Sequence, residues 1–132
     1  MLKIILILAL AVILVACVKA KSSQGSDAVK VVSPAEFKTS LETDSTAFLL
    51  DVRTPGEYAE AQLKGATLLD WKNESSFQEG AKALDKSKTI YVYCRSGRRS
   101  NAAAHYLAEQ GYTVVDMDGG IMAWQGNGLP TE

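Results

Sequence analysis

Cys94 is the residue in this chain best placed to do chemistry. It opens the run Cys94-Arg95-Ser96-Gly97-Arg98-Arg99-Ser100. A β-branched and aromatic stretch (89–93, TIYVY) precedes this run, and an apolar-periodic stretch (98–110) begins inside it. A thiol where a strand gives way to a helix faces unpaired backbone N–H groups and the positive end of the helix dipole. Three arginines, Arg95, Arg98 and Arg99, lie within five residues of it. Each effect favours the nucleophilic thiolate over the thiol. Ser96 and Gly97 suit a tight cradle of backbone N–H groups able to hold an anion. Three adjacent arginines argue against a purely structural buried cysteine.

Other chemistries are excluded by what is missing. The lone histidine, His105, rules out a His-based metal cage, and it sits about two turns into the helix after the loop, where packing or solvation suits it better than catalysis. The two cysteines, Cys17 and Cys94, make neither a disulfide framework nor a spaced zinc set. Asp116-Met117-Asp118-Gly119 lacks the remaining ligands of a calcium loop and reads as a strand end. No metal and no cofactor is expected. A net charge of −1 gives no basic field for nucleic acid. With 47% hydrophobic and 22% charged residues in 132, the chain has the composition of one ordinary globular domain.

The elements that must carry the loop alternate. Residues 29–32 form a first short strand. Ser33-Pro34-Ala35-Glu36 starts a helix, with a capping Ser, Pro at the first helical position and Glu three residues on. Phe37 and Leu41 share its apolar face. Residues 47–52 (AFLLDV) are apolar and short, as in a strand buried on both sides, and Pro55-Gly56 punctuates them. A short apolar run covers 66–69, and helical spacing covers 75–84 through Phe77, Ala81 and Leu84. The helix over 98–110 has Ala102, Ala103, Tyr106 and Leu107 as its apolar stripe and Gly111 as its stop. Residues 112–117 give a last strand, and Gly119-Gly120 opens a short helix through Trp124. This alternation specifies an α/β fold: a five-stranded parallel sheet flanked by helices, with ligands at the carboxyl ends of the strands. Trp71, Trp124 and the tyrosines read as core and rim.

The amino-terminal end is a separate device. Residues 4–16 are an unbroken apolar run of 13 behind Lys3, too short for the ~20 residues of a spanning helix and suited to the core of a secretory signal peptide. Its end, Leu14-Val15-Ala16-Cys17, resembles the lipobox of bacterial lipoproteins. The resemblance implies cleavage after residue 16, lipid on Cys17 and attachment to a bacterial membrane on the exported, periplasmic side. Val18 after the cysteine leans toward the outer membrane. Residues 17–30, the lipidated Cys and a polar Ser/Gly-bearing segment, make a tether with a reach of about 20 Å. Lipidation consumes Cys17 and leaves Cys94 as the free thiol.

The loop CRSGRRS resembles the active-site loop of rhodanese-like sulfurtransferases, whose cysteine carries sulfane sulfur as a persulfide. Asp51-Val52-Arg53 with Glu57-Tyr58, Lys64-Gly65-Ala66, and Asp118-Gly119-Gly120 with Trp124 resemble further family segments, so the likeness spans 31–128 and leaves 129–132 as a tail. It implies that Cys94 accepts sulfur and that the backbone from Arg95 to Arg99, through Ser96, Gly97 and Arg98, surrounds it. It also implies that Arg99 pairs with Asp51 to hold the loop, and that Arg95 and Arg98 offer forks to an oxyanion such as thiosulfate. Arg53 and Glu57 tie strand, turn and helix together. One departure stands out: Ala61-Gln62-Leu63 occupies the place of the family's Gly-His-Ile.

Three functions compete. The first is a thiosulfate sulfurtransferase-like enzyme passing sulfur to a thiol or cyanide-like acceptor, as a monomer. The second is a tethered persulfide carrier serving a partner protein. The third is a cysteine-based phosphatase or arsenate reductase. Loop length disfavours the third, because protein tyrosine phosphatases place an Arg after five residues from the Cys, and here that position is Ser100.

Overall fold

The computed structural model describes residues 29–132. The signal segment, Cys17 and the tether up to residue 28 lie outside the described residues. Val29 and Lys30, read both as the end of the tether and as the start of a strand, are strand.

Ten elements alternate along the chain: β1 (Val29–Val32), α1 (Pro34–Thr43), β2 (Ala47–Asp51), α2 (Pro55–Glu60), β3 (Thr67–Leu68), α3 (Glu74–Lys82), β4 (Thr89–Tyr93), α4 (Arg98–Glu109), β5 (Thr113–Met117) and α5 (Gly120–Gly126). The strands form one sheet in the order β1-β5-β4-β2-β3, and every pairing is parallel. The expected five-stranded parallel sheet is therefore present, with β4, the most β-prone segment, at its centre.

Two clusters of buried side chains cover the two faces, and β4 serves both through its pleat. Ile90, Val92 and Cys94 point to the face closed by Phe77 and Ala81 of α3 and by Ala103, Ala104 and Leu107 of α4. Tyr91 and Tyr93 point to the face closed by Phe37 of α1 and by Ile121 and Trp124 of α5. The α4 stripe is displaced from its expected place: Ala103, Ala104, Leu107 and Ala108 are buried, while Ala102 is exposed. The helix packs over β5 as well as β4, so its contact face is broader and rotated.

The turn after β2 runs straight into a helix, as the strand, turn and helix tied by Arg53 and Glu57 imply. Pro55-Gly56 does not merely end β2; it begins α2. Thr54 accepts from the backbone N–H of Glu57 while the Glu57 carboxylate takes the Thr54 N–H, a complete capping box with Pro in the first turn. Among the described residues no helix is long and apolar enough to cross a membrane.

Candidate active site

Cys94 leaves β4 at its carboxyl end, between β2 and β5. Gly97 caps α4 with φ +101°, a left-handed conformation that an L side chain rarely adopts. The turn it makes brings its own N–H to 3.1 Å from Cys94 Sγ. Its carbonyl accepts the Asn101 N–H at 3.0 Å and the Ser100 hydroxyl at 3.2 Å, which seats the loop on the first turn of the helix. Around the outside of the loop, Ile121 N–H donates to the Cys94 carbonyl at 2.8 Å and Met122 N–H to the Arg95 carbonyl at 3.1 Å. Cys94 is completely buried, while Arg95, Ser96 and Arg98 of the same loop are exposed.

The arginines divide into two kinds. Arg95 and Arg98 are exposed, and among the described residues neither has a carboxylate within salt-bridge distance. Arg53 and Arg99 are neutralised. Arg99 grips Glu57 with both terminal nitrogens, at 2.8 and 2.9 Å. That bond is the main cause that holds the Glu57 carboxyl well below the usual range, at about 2, and it raises Arg99 in turn.

The expected pairing of Arg99 with Asp51 is therefore corrected. Asp51 already has four donors: the Arg53 backbone N–H at 2.9 Å, Arg53 Nε at 3.0 Å, Arg53 Nη2 at 2.7 Å and the Tyr93 hydroxyl at 2.7 Å. No lone pair is left for a more distant guanidinium. Burial opposes the Arg53 charge, yet the Asp51 hydrogen bond and charge outweigh it and Arg53 is raised. Burial and then the Asp51 charge push the Tyr93 phenol far above its ordinary value. Asp51 supports the loop only from beneath, through Tyr93 in the strand that delivers Cys94.

The same network explains how the unusual Ala61-Gln62-Leu63 turn is held. Arg53 Nη2 donates to the Ala61 carbonyl at 2.6 Å, and the Leu63 N–H donates to the Tyr93 hydroxyl at 3.1 Å. Gln62 and Glu132 exchange both backbone hydrogen bonds, at 2.9 and 2.7 Å. Leu63 is buried as its apolar type implied. No histidine takes part in these contacts; His105 is exposed on α4.

Beside the loop, a cleft of about 240 Å³ is lined by Arg53, Glu57, Glu60, Arg95, Met122 and Gln125, among others. On the far side of α4, Trp71, Phe77 and Tyr106 stack edge to face. Reading the sequence missed Glu57 as the partner of Arg99, and the backbone donors of Ile121 and Met122. Asp116, read from the sequence as part of a strand end, lies in β5 as a buried carboxylate with Asn101 on one oxygen, none on the other, and a pKa raised by burial. No group of His, Cys, Asp and Glu able to hold a metal ion is present among the described residues.

Residues 33–127 match the Rhodanese-like domain family. The chain is 39% identical over 83 residues to a sulfurtransferase of Allochromatium vinosum, covering 62% of this chain and 75% of that one. It is 38% identical over 72 residues to the thiosulfate sulfurtransferase PspE of Escherichia coli, covering 54% and 68%. The crystal structure of a rhodanese-related protein from Thermoplasma volcanium superposes with a TM-score of 0.70 at 28% identity, covering 78% of this chain and 97% of that one. A cysteine loop closed by its own glycine at the end of the central strand, the parallel sheet beneath it and these relatives lead to one conclusion: the chain belongs to the rhodanese-like family, with sulfur transfer as its general activity.

Proposed function

We propose that Cys94 carries sulfane sulfur as a persulfide, taken from a small anionic donor such as thiosulfate. The Cys94 thiolate attacks the outer sulfur of thiosulfate, the S–S bond of the donor breaks, and sulfite leaves with the electron pair. A thiolate or cyanide acceptor then attacks that sulfur, the persulfide S–S bond breaks, and the Cys94 thiolate returns. Sulfur moves without any external oxidant or reductant.

The observation that carries this reading is the pairing of the arginine at the loop's end. A phosphoryl group needs a guanidinium aimed into the ring of N–H groups to hold its equatorial oxygens. Here both terminal nitrogens of Arg99 are already held by Glu57, at 2.8 and 2.9 Å, so its charge is matched within the protein. What remains is the Gly97 N–H at the sulfur, flanked by the two unpaired forks of Arg95 and Arg98, which suit an approaching oxyanion. The thiosulfate sulfurtransferase among the relatives supports the choice of donor.

The test is direct. The tag-free protein is incubated with thiosulfate and its intact mass followed, then assayed for turnover with cyanide. An aryl phosphate is offered in parallel, and Cys94→Ser is the control. The expected result is one added sulfur and turnover, both lost in the variant. Phosphate release exceeding sulfur transfer overturns the assignment, and a persulfide without turnover assigns the protein as a carrier. Removing the free forks one at a time, as Arg95→Ala and Arg98→Ala, raises KM for thiosulfate by roughly tenfold each while kcat changes less.

We further propose that Cys17 is lipid-modified and holds the domain at a bacterial membrane, on the strength of the sequence around it. Fatty-acid labelling of the full chain is expected, and labelling that survives Cys17→Ser overturns it.

A further inference from the structure

We infer that the first turn of α5 is the positioning device that aims the loop's N–H groups at the sulfur, with Gly120 and the backbone N–H of Met122 as its working parts. The inference rests on Cys94 being the reacting group. In a trans peptide the C=O and N–H point in opposite directions. The Cys94 carbonyl is held outward by Ile121 N–H and the Arg95 carbonyl by Met122 N–H. The N–H groups on the other ends of those two peptides, belonging to Arg95 and Ser96, are thereby turned away from α5, toward the concave side of the loop. That is the face to which Cys94 itself points, and on it the Gly97 N–H is found at Sγ.

Close approach is the condition for these bonds. Gly120 has φ +61°, and a Cβ on it would lie 2.3 Å from the Arg95 carbonyl oxygen and 2.6 Å from that of Cys94. A Cβ on Gly97 would also press on the Gly119 backbone N at 3.3 Å. Glycines on both sides of the seam let the two backbones touch. Without the seam, either peptide is free to rotate and to present a carbonyl to the sulfur, which repels an anion where an N–H would stabilise it.

Met122 makes the inference testable, because its side chain is 53% exposed and packs little. Met122→Pro removes the N–H and sets its ring against the Arg95 carbonyl that the N–H served, so it opens the seam while staying within the first turn of the helix. Met122→Ala is the conservative variant that keeps the N–H. The readout is the rate of Cys94 alkylation by iodoacetamide against pH, which reports the thiolate whether or not sulfur transfer occurs. Met122→Pro is expected to slow alkylation at neutral pH by about tenfold or more and to displace the profile to the alkaline side. Met122→Ala is expected to restore the parent profile. Gly120→Ala, which breaks the same seam from the other side, is expected to follow Met122→Pro.

A parent-like profile in Met122→Pro overturns the inference. Should both variants fail to fold, the unsubstituted protein decides. A scalar coupling across the hydrogen bond between the Met122 amide nitrogen and the Arg95 carbonyl carbon is expected, and its absence overturns the seam. If alkylation behaves as stated but no sulfur is taken up, the seam stands and the sulfurtransferase reading falls.

Discussion

Two arginine–carboxylate pairs flank the loop, and they are built for opposite purposes. Asp51 and Arg53 are two residues apart, with side chains 0% and 5% exposed. Glu57 and Arg99 are 42 residues apart, with side chains 25% and 19% exposed. In the first pair, Asp51 accepts four hydrogen bonds, and Arg53 Nη2 also donates to the Ala61 carbonyl. The second joins α2 to the start of α4 across the rim of the site. The buried pair fixes a shape at the cost of desolvating two charges. The rim pair matches the charge of one guanidinium at the loop, so that the unpaired guanidinium groups of the loop are those of Arg95 and Arg98.

The comparison breaks most visibly at Asp51. Asp51→Ala leaves the Arg53 guanidinium buried without a counter-charge, and chemical denaturation is expected to show a loss of about 3–5 kcal/mol. Tyr93→Phe, which removes the hydroxyl between Asp51 and the Leu63 N–H, is expected to cost about 1–3 kcal/mol by the same measurement. Glu57→Gln should cost only about 1 kcal/mol. It has a second effect that the buried pair lacks, because it releases Arg99, and thiosulfate uptake at low salt is expected to change with it.

The smallest effect sharpens the contrast through pH and salt. The folded Glu57 carboxyl is depressed from 4.5 to about 2. Its contribution is therefore complete above about pH 4.5 and is lost as pH falls through about 2. Stability of the parent relative to Glu57→Gln should fall on acidification across that window. At neutral pH the same difference should shrink by a few tenths of a kcal/mol in molar salt, whereas the Asp51→Ala deficit should hardly move.

Much of this was legible beforehand, and the failures are specific. The strand over 89–93, the helix after the loop and Cys94 at their junction follow from β-branching, periodicity and glycine placement, which are local signals. The Asp51 partner was local as well. Asp51 and Arg53 stand at i and i+2, which extended chain puts on one side, so the nearer arginine was the better choice. Helix α2 was announced by the same pattern that located α1: Thr54, Pro55 and Glu57 repeat Ser33, Pro34 and Glu36. The pairing of Glu57 with Arg99 is different in kind. It depends on how α2 and α4 meet, and no spacing in the chain encodes that distance. Likewise, the donors of Ile121 and Met122 are backbone groups, to which residue type is mute.

The seam between the loop and α5 also places the site in time. Cys94 is delivered by the strand at the centre of the sheet, but its carbonyl partners stand at 121 and 122, and β1 finds its neighbour 85 residues later, from Val29 to Val114. Parallel pairings of such long range close slowly, since a large loop must be ordered before the contact rewards it. A chain still emerging, or one cut before residue 122, holds its cysteine in an unformed loop. The donors that hold the Cys94 and Arg95 carbonyls are therefore in place only when nearly the whole domain is present.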